Sequence, residues 1–235
     1  MAGKLYLIPT VLSDEALHTI PAYVHDITKT LTHFFVEDER TARRYLRKSG
    51  YMRSFDEVVM LPLNEHTSQT EISLYADHLI NGNDCGLMSE AGVPAVADPG
   101  HLLVKLAHEH AIQVVPLSGP SSIILALMAS GLNGQRFCFH GYLPVNKNGR
   151  VKKLQQLDQR AKDGETQVFI ETPYRNNALI ADILQTCNAS TLLCIASDLT
   201  GEKENIQTHS VREWKTRQPS LEKIPAIFLI GNFVV

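Results

Sequence analysis

The first half of the chain repeats one alternation: a short apolar run, then a longer amphipathic segment. KLYLIPT (4–10), THFFVEDE (32–39), EVVMLPL (57–63), DCGLMS (84–89) and IQVVPL (112–117) have the length and apolar content of buried strands. TARRYLRKSG (41–50), SQTEISLYADHLINGN (68–83) and GHLLVKLAHEHA (100–111) read as helices between them, the first two with stop signals at Gly50 and Gly82. Apolar strands that alternate with helices pair in parallel and need cover on both faces. The alternation therefore predicts an α/β fold with a mainly parallel sheet.

One loop stands out. GLMSEAGVPAVADPG (86–100) packs glycines, prolines, two acids and a serine behind an apolar run. It follows the carboxyl end of a strand, where open α/β sheets hold their ligands. Small residues let a backbone approach a ligand, and prolines hold the loop's shape beforehand.

The second half changes character. SGPSSIILALMASGL (118–132) reads as a nearly all-apolar helix and is expected to be well buried. QRFCFHGYLP (135–144), TQVFIETPYR (166–175), the start of 191–215 and IPAIFLIGNFVV (224–235) read as strands. VNKNGRVKKLQQLDQRAKDG (145–164) is polar and basic and reads as a loop with an exposed helix; NNALIADILQTC (176–187) is a further helix. A mixed sheet is expected here. With the seam near Pro116–Gly119, the chain reads as two α/β domains, 1–117 and 118–235.

The formal net charge is −3 over 235 residues, so any contact with nucleic acid depends on a local patch. The four cysteines are far apart and form no C-x-x-C pair, which favours reduced thiols in a cytosolic protein over disulfides or zinc. His108 and His110, two apart on a helix, point in different directions, and no metal site is expected. No stretch approaches the roughly 18 to 20 apolar residues of a membrane span, and MAGKLYLIPT lacks a signal-peptide pattern.

Several stretches, in order, resemble the tetrapyrrole methylase superfamily of S-adenosylmethionine-dependent methyltransferases. They are YLIPT (6–10), VEDERTARRYL (36–46), NEH (64–66), SEAGVPAVADPG (89–100), PLSGPSS (116–122), FHGYLP (139–144), ETPYR (171–175), SDLTGEKE (197–204) and PAIFLIGNFV (225–234). The branch most similar is the bacterial 16S ribosomal RNA cytidine 2′-O-ribose methyltransferases. The resemblance implies two α/β domains with the cofactor cleft between them, a cytoplasmic homodimer, and S-adenosylmethionine bound bent, largely by loop backbone. Departures include Val11-Leu12-Ser13-Asp14 where the family has Pro-Ile-Gly-Asn, and Glu90-Ala91-Gly92-Val93 where it has Asp-Ala-Gly-Thr.

Carried onto this chain, the resemblance implies cofactor contacts at Pro9, at the loop tip Ser89, Glu90 and Ala91, and at Ser121, Ser122 and Ile123 opening the apolar helix. It also implies adenosine near Glu171, Thr172 and Ala226. Serines at a helix start equally serve as caps, and free N–H groups there suit a carboxylate. Glu37, Arg40 and His66 are the catalytic-side candidates. Acids at the start of 41–50 and cations toward its end complement the helix dipole; alternatively Arg40, Arg44 and Arg47 share a face that grips phosphates. Lys147, Arg150, Lys152 and Lys153 form a second basic segment.

A ribose hydroxyl acceptor needs a positioned base, for which Glu37 and His66 are the candidates; a tetrapyrrole carbon needs less help. The expected activity is methylation of a ribose 2′-hydroxyl of small-subunit ribosomal RNA. A small-molecule methyltransferase and a catalytically silent relative are the alternatives.

Overall fold

The computed structural model describes residues 2–217 and 219–232. The chain divides into two compact units, Met1–Ser121 and Ser122–Val235.

The first unit is a five-stranded sheet of β1 (Lys4–Leu7), β2 (His33–Val36), β3 (Val59–Pro62), β4 (Cys85–Met88) and β5 (Gln113–Pro116), in the order β3-β2-β4-β1-β5. Every pairing in it is parallel. Its helices are α1 (Ala22–Thr30), α2 (Glu39–Lys48), α3 (Gln69–Ile80) and α4 (Gly100–Glu109). The period of two along each strand sorts side chains between two cores. Phe34, Val36 and Met88 pack with Val24 of α1 and Ala42, Tyr45 and Leu46 of α2. Leu5, Phe35, Cys85 and Leu87 pack on the other face with Ile72 and Leu79 of α3 and Leu103 and Ala107 of α4. Gly86 permits this at the sheet centre: a Cβ there would lie 2.5 Å from Ile8 Cδ1 and 3.0 Å from Phe34 Cδ1.

The sequence reading gave no element to residues 11–31, yet α1 forms there. Tyr23, Val24, Ile27 and Thr28 are weak helix formers, so local propensity carries little signal. Burial of Val24 and Thr28 supplies the stabilisation, and the Thr28 hydroxyl donates to Val24 O at 2.7 Å.

The second unit holds β6 (Phe137–Tyr142), β7 (Thr166–Ile170), β8 (Leu192–Ser197), β9 (Asn205–Ser210) and β10 (Ala226–Gly231), in the order β6-β7-β10-β8-β9. It is mixed, as expected: β6 and β7 are parallel, and the remaining pairs are antiparallel. Residues 233–235 of the expected last strand lie outside the described residues. α6 (Lys147–Lys162), α7 (Asn176–Thr186) and α8 (Val211–Arg217) build the core with Leu154, Leu157, Ile180, Ile183 and Trp214 against Phe169, Phe228 and Ile230. α5 (Ser122–Ser130) lies against β8, β9 and β10.

Two expectations are corrected here. α5 is not buried all round: Ala126, Leu127 and Ser130 are, but Ile124 is 45% and Met128 74% exposed. Nor is 147–162 an exposed basic helix. Leu154, Leu157 and Ala161 form an inner face, and Arg150 is itself buried in an ion pair with Asp182, its Nε at 2.7 Å and Nη2 at 2.6 Å. Arg150 thus belongs to the interior, because Asp182 on α7 pairs with it.

All four cysteines are free, and Cys85, Cys187 and Cys194 are buried. Burial pushes the Cys85 and Cys187 thiols up to about 12 and the Cys194 thiol to about 11. No helix among the described residues is long and apolar enough to cross a membrane.

Replacing Gly86 with alanine is expected to destabilise the protein by about 1–3 kcal/mol, the usual range for overpacking a filled core. The shift in the urea unfolding midpoint measures it.

Candidate functional site

The carboxyl ends of β1, β2 and β4 open onto one pocket of about 170 Å³ within the first unit. Thr10 lines it from the β1 side, Glu37 and Tyr45 from β2 and α2, and Met88 through Ala91 from the β4 loop. Ser89, Glu90 and Ala91 thus come together with Glu37, which the sequence carries in a separate motif.

Glu37 is the first residue past β2. Its N–H donates to Met88 O at 3.2 Å, extending the ladder by one residue. Its side-chain Oε2 accepts from the Glu90 N–H at 3.0 Å, so the half-buried carboxylate ties the β2 end to the β4 loop. Burial raises its pKa; the Glu90 N–H partly offsets this, and the charges of Glu90, Asp98 and Asp38 raise it further. Asp38 caps α2, accepting from Thr41 N at 2.7 Å. That hydrogen bond holds its pKa low.

At the far end of the loop, Asp98 Oδ1 accepts from Gly100 N at 2.8 Å, while Oδ2 is buried without a partner among the described residues. Burial raises this carboxyl too, against the stabilising N–H groups of Gly100, Ala95 and Val96. Ala95 and Ala97 sit at φ 65° and 64°, a conformation that side chains with a Cβ rarely adopt. Gly92 has φ +77°, and a Cβ there would meet Leu12 at 3.1 Å.

Arg40 is exposed on α2 and makes no ion pair among the described residues. Arg44 lies 4.0 Å from Asp14 and lines the pocket. Arg47 is engaged structurally: it donates to Tyr51 O at 2.6 Å and stacks over the Phe55 ring at 4.1 Å. The arginine face expected from spacing narrows to Arg40 and Arg44. His66 is exposed in the loop after β3, 3.6 Å from Glu65, and does not line the pocket. Pro9 is buried, its carbonyl taken by the Tyr45 hydroxyl at 2.9 Å.

In the second unit, Glu171 and Thr172 follow the last residue of β7, and Ala226 begins β10, paired with Ser197. Glu171 is 4% exposed. Its Oε1 accepts from Thr172 N at 2.7 Å and Arg175 Nε at 2.8 Å, and Oε2 has no partner among the described residues. Near the same sheet end Thr200, at φ 66°, keeps a buried hydroxyl without a partner among the described residues. Ser121 precedes α5, and Ser122 and Ile123 open it, all three partly buried. No group of three or more His, Cys, Asp or Glu suited to a metal occurs among the described residues.

Sequence reasoning passed over Thr10, Tyr45, Asp98 and Thr200. Thr10 and Tyr45 act through backbone carbonyls distant in sequence, and the Thr200 hydroxyl is singled out only by its burial. Asp98 alone carried a local signal, an acid directly before Pro-Gly at a helix start.

Residues 4–214 match the family model of the tetrapyrrole (corrin/porphyrin) methylases. A protein of Pasteurella multocida (strain Pm70) named ribosomal RNA small subunit methyltransferase I is 30% identical, the match covering 100% of this chain and 81% of that one. Its namesake in Haemophilus influenzae (strain ATCC 51907 / DSM 11121 / KW20 / Rd) is 28% identical over 98% and 79%. Among solved structures, the methyltransferase CobJ superposes with a TM-score of 0.65 at 14% identity, covering 98% of this chain and 95% of that one. The uroporphyrin-III C-methyl transferase of Thermus thermophilus, complexed with S-adenosyl homocysteine, gives 0.60 at 15% identity, with 98% of each chain covered. At these identities the two structures show the shared fold.

The raised pKa of Glu37 has a stability consequence. Its protonated form is favoured in the folded state, so its contribution is fully present below the ordinary glutamate pKa and is lost as pH rises through the raised folded value. Glu37→Gln, which mimics the protonated form, is expected to raise Tm at pH 7 and to leave it unchanged near pH 4, read by calorimetric melts.

Proposed function

Because the chain belongs to the tetrapyrrole methylase family, we propose that it transfers the methyl group of S-adenosylmethionine to a ribose 2′-hydroxyl of small-subunit ribosomal RNA. The names of its relatives support the RNA acceptor. The observation that carries the reading is Glu37: a half-buried carboxylate on the pocket wall, one oxygen anchored by Glu90 N–H at 3.0 Å and the other without a hydrogen bond among the described residues.

The residues present fit the cofactor. The 89–92 loop has the small residues at Ser89 and Ala91 and the positive-φ glycine at Gly92 that close approach of a backbone to a ligand requires. The unpartnered Glu171 Oε2 and Thr200 Oγ1 offer an acceptor and a hydroxyl near the sheet end where Thr172 and Ala226 sit, suited to a nucleoside with amino and hydroxyl groups. Ser89, Glu90 and Ala91 would hold the methionine part, with Pro9, Ser121, Ser122 and Ile123 as further contacts.

S-adenosylmethionine, when bound, supplies an already activated methyl group. Glu37 Oε1 takes the proton of the acceptor hydroxyl, and the raised pKa of this carboxyl suits it to that task at neutral pH. Arg40 and Arg44 meet the flanking phosphates. His66, exposed and outside the pocket, is left as an outer RNA contact. We extend the reading to a cytoplasmic homodimer: the apolar side chains exposed on α5 are suited to cover by a second copy, and the free thiols to a reducing compartment.

The test is transfer of labelled methyl from S-adenosylmethionine to undermethylated small ribosomal subunits, with a small-molecule extract as the competing acceptor. Label in the RNA supports the reading; label only in small molecules overturns the acceptor. Glu37→Gln is expected to lower kcat by about a hundredfold or more while leaving cofactor Kd in place. Arg40→Ala is expected to weaken RNA binding and reduce its salt slope by about one, measured by titration at several salt concentrations.

A further inference from the structure

The loop 89–92 is short of internal support. It contains two small residues and a glycine at positive φ, and its own side-chain bond, Ser89 Oγ to Ala91 O, is long at 3.5 Å. Among the described residues, two side chains from outside hydrogen-bond to it. Glu37 is one, at Glu90 N. The other is Thr10, whose hydroxyl lies 3.3 Å from Ser89 O and 3.5 Å from Gly92 O.

Thr10 is well placed to set the loop's position. It is 3% exposed. Its own N–H donates to Gly92 O at 2.8 Å in an isolated antiparallel bridge. The preceding carbonyl, on Pro9, is held by the buried Tyr45 hydroxyl from α2 at 2.9 Å. Thr10 therefore has little freedom, and its β-branch restricts χ1 further. Its hydroxyl lies nearest the Ser89 carbonyl and its N–H holds the Gly92 carbonyl, the two ends of the 89–92 turn, while Glu37 holds an N–H between them.

We propose that Thr10 is a positioning residue for the methyl-donor loop: its N–H holds the Gly92 carbonyl, its buried hydroxyl donates its one proton toward the Ser89 carbonyl, and together they set the backbone groups that receive the cofactor. The inference rests on the reading that 89–91 receives S-adenosylmethionine. Thr10 is not a catalytic residue, since it acts through the loop. Serine in its place keeps the hydroxyl. Valine keeps the shape and the main-chain bridge and removes only the hydroxyl.

The test is calorimetric binding of S-adenosylhomocysteine to wild type, Thr10→Val and Thr10→Ser, with Tm measured for each. Thr10→Val is expected to bind about fivefold more weakly, the scale of one hydrogen bond, and Thr10→Ser to restore the affinity. With an acceptor in hand, KM for the cofactor should move more than kcat. Equal Kd for wild type and Thr10→Val overturns the inference alone, as does a fall in Tm with Kd unchanged. No binding by the wild type overturns the reading of the loop and the inference together.

Discussion

A central strand of a parallel sheet must be apolar on both faces, yet the chain leaving it must turn polar within a residue or two if it is to meet a ligand. β4 carries that constraint. Cys85 and Leu87 face the α3–α4 core, Met88 faces the α1–α2 core, and Gly86 leaves room for Ile8 and Phe34. The loop that follows inherits a fixed origin from this packing. Everything at the pocket is arranged around that origin: Glu37 from one neighbouring strand, Thr10 from the other, and Asp98 at the return into α4.

The charges near the pocket are separated by role. The charges of Glu90, Asp98 and Asp38 add to the burial that raises Glu37, Asp98 is raised by its own burial, and Asp38 is relieved by capping a helix. The cations of α2 are mostly committed: Arg43 pairs with Glu39, Arg47 braces Phe55 and Tyr51, and Lys48 lies 3.8 Å from Glu15. An arginine at helical spacing is therefore a poor guide to which cation remains available. That depends on acids and aromatic rings brought in from other parts of the chain.

The fold was largely legible because its strands are short apolar runs and two of its helices stop at glycine. Helix α1 was not, since its residues favour a helix only when packed. Arg150 was read as a surface cation because its partner, Asp182, is distant in sequence. The helix at 122–130 was read as buried because composition says how apolar a helix is and not how much of it is covered. At the site, Glu37 and Ser89 to Ala91 were legible as motifs. Thr10 and Tyr45 were not, because a hydroxyl that bonds a remote carbonyl leaves no pattern along the chain.

The cysteines give the molecule an unplanned convenience. Three are sealed in the cores, with thiols that stay protonated at any working pH. Cys138, on the edge strand β6, is the one that is not buried. A maleimide dye offered to the native protein thus has a single address, and the wild-type chain can carry one fluorophore on its second unit without any cysteine being removed first.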